Sequence, residues 1–248
     1  MKAIILAAGY ATRLYPLTKD RPKPLLPVAG KPIIDYIVEQ IEQISDISEI
    51  YVVSNHKFAA HFQIWAQAHK SRVPITVLDD GTTNEDNKLG AIGDIQFVIE
   101  QQQIDDELMI IAGDNLFTFS LAEYYACYKT QDKDYLVGKA LDDVALLRHF
   151  AVAELNLDGK VLSLEEKPSI PKSNIGVYAV YFYRKDTVPL FKQYLDAGNT
   201  PDAPGHFAAW LCKQKDVYVY MMSGDCYDVG TVASYEAVQT LFKNNGQA

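Results

Sequence analysis

The chain lacks most of the short signatures by which phosphate-handling and metal-handling proteins are usually found. In 248 residues there is no G-x-x-x-x-G-K-[ST] segment, so a P-loop has no support. The first turn carries no G-x-G-x-x-G, which removes the main reason to expect a dinucleotide-dependent oxidoreductase. Cys127, Cys212 and Cys226 are far apart and odd in number, so no disulfide framework or C-x-x-C metal site is implied and reduced thiols are the expectation. His56, His61, His69, His149 and His206 show no metal-ligand spacing. Nowhere do eighteen apolar residues run together, and the brief apolar start is interrupted by Arg13 and a polar loop. Neither a membrane span nor a signal peptide is therefore expected, and the location is expected to be cytoplasmic. Basic charge is also short: 23 Lys and Arg face 32 Asp and Glu, and the net charge of −9 argues against nucleic acid as a partner. Phosphate ligands stay open, because a small basic cluster with a divalent cation can reverse the potential locally.

What the chain does have is concentrated at its start. Residues 3–32 read AIILAAGYATRLYPLTKDRPKPLLPVAGKP. A short apolar strand, Ala3 to Leu6, runs into Ala7, Ala8 and Gly9, then Thr12 and Arg13, with Lys23 ten residues later in a proline-rich stretch. Small residues let the backbone approach a ligand, and exposed amides beside a guanidinium and an ammonium suit a chain of phosphates. The segment reads as a triphosphate cradle.

Strand and helix patterns alternate through the first half. Strands are expected at Ala3–Leu6, Ile50–Val53, Ile75–Leu78 and Leu108–Ala112. Helices are expected after Pro32, where Ile33, Ile34, Ile37, Val38, Ile41 and Ile44 recur at helical spacing, and about Phe58–Ala68 and Leu89–Glu100. This alternation predicts an α/β fold, a Rossmann-like, mostly parallel mixed sheet flanked by helices, with ligands at the carboxyl ends of the strands. After about residue 120 the pattern turns to strands at Tyr135–Lys139, Val152–Leu157, Val161–Glu165, Val177–Tyr183 and Val217–Met221, with Asp158-Gly159 as a hairpin turn and Pro201 and Pro204 marking loops. No linker or repeat separates the halves. One domain over 1–248 is expected, with a first half over about 1–118 and a second half over about 119–243.

Asp114, in Gly113-Asp114-Asn115, ends a buried strand where an open α/β sheet exposes its ligand site. Asp228, in Asp228-Val229-Gly230-Thr231, follows a later strand and precedes a helix. Each alone reads equally well as a turn former. Together they form a hard oxygen pair suited to Mg²⁺, which takes one or two carboxylates plus substrate phosphates.

The opening run resembles the nucleotide-binding signature of the sugar-phosphate nucleotidyltransferases, L-A-A-G-x-x-T-R-L-x-P-L-T-x-x-x-P-K-x-L-L-P-V. The resemblance continues through Gly113-Asp114-Asn115, through Ser163-Leu164-Glu165-Glu166-Lys167-Pro168, which is similar to the sugar-site signature of glucose-1-phosphate thymidylyltransferases, and through Asp228-Val229-Gly230. It spans about residues 2–240 and implies that the half over about 1–118 is nucleotide-binding and the half over about 119–243 sugar-phosphate-binding. It implies an enzyme joining a nucleoside triphosphate to a sugar-1-phosphate with Mg²⁺ on Asp114 and Asp228. It implies nucleotide contacts from Leu6, Ala7, Ala8, Gly9, Thr12, Arg13, Lys23, Asp80 and Gly90. Sugar-phosphate contacts are implied for Asn115, Ala151, Glu166, Lys167 and Val177, and catalytic roles for Arg13, Lys23, Asp114 and Lys167. Family habit adds an expected homo-oligomer, and at this length the C-terminal left-handed β-helix or acyltransferase module of some relatives is not expected.

Three departures leave the sugar open. Phe150-Ala151-Val152 replaces a glycine-centred Y-G-V, Tyr178 stands where a small residue is usual, and the Pro204-Gly205-His206 region lacks a phosphate-contacting Arg. Asp79-Asp80 falls where thymidylyltransferases carry a base-reading Gln, ahead of the polar loop Gly81 to Lys88. Asp80 could read the base or cap that loop, and dTTP or UTP with a hexose-1-phosphate is favoured on family grounds. The rivals are a cytidylyl- or guanylyltransferase acting on another phosphate such as phosphocholine or heptose-1-phosphate, and a non-catalytic nucleotide-sugar-binding regulatory homologue.

Overall fold

The computed structural model describes residues 1–245, with the side chains of Asp228, Asn244 and Asn245 outside the described set. In chain order the elements begin with β1 (Lys2–Leu6), β2 (Pro27–Val28), β3 (Lys31–Pro32), α1 (Ile33–Ile41), β4 (Glu49–Ser54), α2 (His56–Ala68) and β5 (Ile75–Asp79). They continue with α3 (Ala91–Gln101), β6 (Leu108–Ala112), β7 (Asn115–Phe117), α4 (Leu121–Gln131), β8 (Asp134–Ala140), α5 (Val144–Leu147), β9 (Ala151–Leu155) and β10 (Val161–Glu166). The last are β11 (Ile175–Tyr183), α6 (Val188–Asp196), α7 (Pro204–Leu211), β12 (Val217–Met221), β13 (Cys226–Asp228) and α8 (Val232–Asn245). The class is the expected one, mixed α/β with a mostly parallel central sheet flanked by helices.

The chain forms two compact units. One, here the loop unit, comprises Ala3–Lys88, Ile111–Ala122 and the chain from Gly224 onward. The other, here the hairpin unit, comprises Met1–Lys2, Leu89–Ile110 and Glu123–Ser223.

In the loop unit β4 lies between β1 and β5 and runs parallel to β5, from Ile50 opposite Ile75 to Ser54 opposite Asp79. The strands are apolar because both faces are covered, and Ala3, Ile4, Ile5, Val52 and Val53 are fully buried. In α1, Ile33, Ile34, Ile37, Val38 and Ile41 form the buried stripe expected from their spacing. The helix ends three residues before Ile44, which stays buried in the following turn. A second core joins Leu14, Leu26 and Val28 of the opening run to Leu116, Val229 and Val238. Helix α8 also holds the β2–β3 hairpin through its carbonyls and amides. Tyr235 donates to the Pro27 carbonyl at 2.6 Å, Gln239 donates to the same oxygen, and the Ala29 amide donates to Gln239 at 3.0 Å.

The hairpin unit is built on antiparallel pairs. β9 lies between β10 and β11, β8 pairs with β11, and β12 joins β8 in parallel. Its core is aromatic: Phe207 stacks on Phe191 at 3.8 Å and meets Tyr183, Tyr194 and Trp210 within 6 Å. Beneath it Asp134 is fully buried and accepts from the Arg184 amide, the Thr187 hydroxyl and the Lys215 ammonium. Strand β9 is shorter than the expected Val152–Leu157 stretch because Asn156 belongs to the turn. Its side chain accepts from the amides of Asp158 and Lys160, and Gly159 takes a φ of +81°. Pro204, expected in a loop, opens α7 instead, a position where its missing N–H costs nothing.

Candidate active site

The loop after β1 is fixed by backbone groups that leave its outer face open. The Ala7 amide donates to the Val53 carbonyl at 2.9 Å, and the buried Asn55 amide group donates to the Ala8 carbonyl at 2.8 Å. Asn55 also caps α2, its side-chain oxygen accepting from the Phe58 amide. Sequence reasoning passed over Asn55, although Ser54-Asn55 between a strand and a helix is an N-cap signal. A Cβ on the exposed Gly9 would meet no heavy atom within 4 Å, so the space beside it is open to a ligand. Ala11 is then left-handed, with φ of +48°, and opens the short turn Thr12–Leu14 that leaves Thr12 and Arg13 exposed. A non-glycine residue in that region is uncommon. Two hydrogen bonds to its carbonyl hold it, from the Leu14 amide and the Thr18 hydroxyl.

Lys23 is buried between Pro22 and Pro24 and its ammonium lies 2.7 Å from Asp114 Oδ2, with side-chain exposures of 9% and 35%. Gly113 makes this meeting possible. A Cβ there would fall 2.8 Å from the Leu6 carbonyl, 3.1 Å from Ile5 and 3.2 Å from Pro24, so only a bare α-carbon fits between the ends of β1 and the proline turn. Strand β13 pairs antiparallel with β7 and sets Asp228 opposite Asn115, the neighbour of Asp114. The Asp228 side chain lies outside the described residues, so the backbone register alone relates the two acids.

At the end of β5, Asp79 accepts from the Gly81 amide and sits 2.6 Å from His56 Nδ1. Asp80 lies just beyond the strand, where its Oδ1 accepts from the Thr82 amide at 2.6 Å, and its Oδ2 is buried with no hydrogen-bond partner. The polar loop that follows is ordered by its own capping box, Asn84 accepting from the Asp86 and Asn87 amides and Asn87 from the Thr83 and Asn84 amides.

In the hairpin unit three of the expected sugar-phosphate residues fall in one row. Across β10, β9 and β11, Glu166 stands opposite Ala151 and Ala151 opposite Val177. Directly paired residues share a face, so the three side chains project to the same side. Lys167 ends the row at φ of +47°, its amide donating to the Phe150 carbonyl at 3.0 Å and its ammonium 3.6 Å from Glu166 Oε1. Burial pushes the Glu166 carboxyl above the usual carboxylate range, against the opposing charges of Lys167 and His206. Phe150 and Tyr178, two of the departures noted above, face each other with ring centroids 4.6 Å apart. Gly90 has a packing reason for its identity: at φ of +80° its missing Cβ would lie 2.5 Å from the Pro201 carbonyl oxygen. The first amides of α3, at Ala91 and Ile92, donate to the carbonyls of Asp202 and Pro201.

Taken with this geometry, comparison with known proteins gives the class directly. The chain matches the Nucleotidyl transferase family over residues 2–245, and it belongs to that family. It is 32% identical over 194 residues to the bifunctional protein GlmU of Methanocaldococcus jannaschii, covering 78% of this chain and 42% of that one. It is 31% identical over 197 residues to the glucose-1-phosphate thymidylyltransferase of Neisseria meningitidis, covering 78% and 65%. Among solved structures, a Bacillus anthracis protein assigned as a glucose-1-phosphate thymidylyltransferase and crystallised with sucrose is 26% identical. It superposes with a TM-score of 0.81 over 98% of this chain and 96% of its own. Among the described residues no helix is long and apolar enough to cross a membrane.

Proposed function

We propose that the protein transfers a nucleotidyl group from a nucleoside triphosphate to a sugar-1-phosphate, giving a nucleotide sugar and pyrophosphate, with dTTP or UTP and a hexose-1-phosphate as the favoured pair. The row of Glu166, Ala151 and Val177 closed by Lys167 carries the acceptor half of this reading, because it supplies a carboxylate for hydroxyls beside an ammonium for a phosphate. The Ala7–Arg13 loop with Lys23 carries the donor half. A sugar-phosphate oxygen attacks the α-phosphorus, the bond from that phosphorus to the α,β-bridging oxygen breaks, and pyrophosphate leaves. The phosphate monoester is ionised at neutral pH, so no general base is needed and catalysis is positioning and charge neutralisation.

In this scheme Arg13 and Lys23 offset the charge of the departing pyrophosphate, and Lys167 steers the attacking phosphate. The half-buried Asp114 carboxylate and the register of Asp228 fit Mg²⁺, since a hard ion of this kind is held by one or two carboxylates and substrate phosphates. When bound it would supply positive charge at the α-phosphate. Asp80, already capping its loop through Oδ1, would act on base choice through the shape of that loop. A matrix of nucleoside triphosphates against sugar-1-phosphates, read by pyrophosphate release and product mass, tests the proposal. Turnover is expected with a hexose-1-phosphate and dTTP or UTP, and absence of turnover with every sugar-1-phosphate would overturn it.

A further inference from the structure

Gly205 is the second residue of α7, where no turn or positive φ calls for glycine. Helix propensity would favour alanine there. What a side chain there would displace is Glu166. A Cβ on Gly205 would lie 1.9 Å from Glu166 Oε2, 3.0 Å from its carboxyl carbon and 2.9 Å from the Ala151 Cβ. The buried carboxyl is therefore seated on the bare α-carbon of Gly205, with the Ala151 methyl beside it. Neither wall is free to retreat. Two residues on, Phe207 is stacked on Phe191 and enclosed by Tyr183, Tyr194 and Trp210, which anchors α7. Ala151 is the central strand's member of a three-strand row.

The geometry points to Gly205 as a specificity-determining positioning residue: its missing side chain sets how far the Glu166 carboxyl stands out of the sheet, and so which sugar hydroxyls it meets. This rests on the assignment of Glu166 to the sugar phosphate. A methyl at position 205 would drive the carboxyl outward by about 1 Å, a misplacement of the size that costs about a hundredfold when a polar contact must be aligned. Shortening Glu166 to aspartate withdraws the carboxyl by one methylene and vacates the space the new methyl needs.

The test is a two-by-two set, Gly205→Ala, Glu166→Asp, both together and neither, assayed with glucose-1-phosphate and whichever of dTTP or UTP supports turnover. Gly205→Ala alone is expected to lower kcat/KM for the sugar phosphate about a hundredfold while KM for the nucleotide stays within about twofold. In the Glu166→Asp background the same change is expected to cost less than about threefold, because the two sites are coupled. Equal losses in both backgrounds, or an unchanged KM for the sugar phosphate, would overturn the positioning role. Thermal melting guards against misfolding: a Gly205→Ala protein that keeps its melting point and still shows the substrate-specific loss supports the proposal. Glu166→Ala separates the two layers, since no effect on the sugar phosphate in that variant removes the Glu166 assignment itself. An effect there with none in Gly205→Ala removes only the inference about Gly205.

Discussion

In the proposed reaction Lys23 and Lys167 each bring a positive charge to a phosphate, and the protein holds them in opposite ways. Lys23 is buried between two prolines and ion-paired at 2.7 Å, so its side chain is placed before any ligand arrives. Lys167 is 58% exposed with its nearest carboxylate oxygen 3.6 Å away, and there the backbone is constrained instead, at a positive φ rare for lysine. A buried, preorganised charge suits a role that grows as charge develops on a leaving group. An exposed ammonium on a fixed backbone suits capture of a phosphate from solution. The contrast extends to the cores beneath, aliphatic under the loop and aromatic behind α7.

Replacing either member of the Lys23–Asp114 ion pair should give the largest effects. Lys23→Ala and Asp114→Asn should each lower kcat by about a thousandfold, and chelation of divalent ions should abolish turnover until Mg²⁺ is restored. Steady-state kinetics showing only a KM change for Lys23→Ala would erase the distinction drawn between the two lysines. Lys167→Ala should instead raise KM for the sugar phosphate by about ten- to a hundredfold, the worth of one charge-assisted hydrogen bond, with less change for the nucleotide. A variant weakened equally toward both substrates would place Lys167 elsewhere.

Smaller effects sharpen the contrast from the side of stability. Gly113→Ala should destabilise by about 1–3 kcal/mol, the usual cost of forcing a methyl into closed packing, and should depress nucleotide turnover by separating Lys23 from Asp114. Urea titration alongside kinetics measures both. For Glu166 the sign is the opposite. Its carboxyl is raised in the folded protein, so the stability it contributes is full below the ordinary glutamate pKa and is lost as pH rises through the raised value. Glu166→Gln should therefore unfold at a slightly higher denaturant concentration than the native protein at pH 7, with the gap closing toward pH 4. In the native enzyme the KM for the sugar phosphate should climb on acidification at a pH above that of an ordinary carboxylate.

The apolar periodicity of the first half made β1, α1, β4, β5 and β6 legible, because strands buried on both faces and a striped helix leave strong patterns. The short pieces were not legible. Strands β2, β3, β7 and β13 have two or three residues each and are defined by their partners rather than by any local signal. At the site, residue types pointed to Lys23, Asp114, Glu166 and Lys167, but no spacing in the chain announces that Lys23 and Asp114 touch across 91 positions. Asp80 shows the limit of reading charge alone. One of its oxygens is committed to a turn amide and the other is shut away, which no pattern of letters distinguishes from a carboxylate facing a ligand.

The grip of α8 on the β2–β3 hairpin has a consequence for the order in which the molecule is made. Gln239 and Tyr235 hold the Pro27 carbonyl over sequence separations of 212 and 208 residues, among the longest ties a chain of this size can make. Contacts so remote are slow to form, since the intervening chain must be closed into a loop first. During synthesis the β2–β3 hairpin leaves the ribosome some 208 residues ahead of the helix residues that steady it. The hairpin is thus made early and finished late, and until α8 docks the nascent chain carries it without the brace that shapes it.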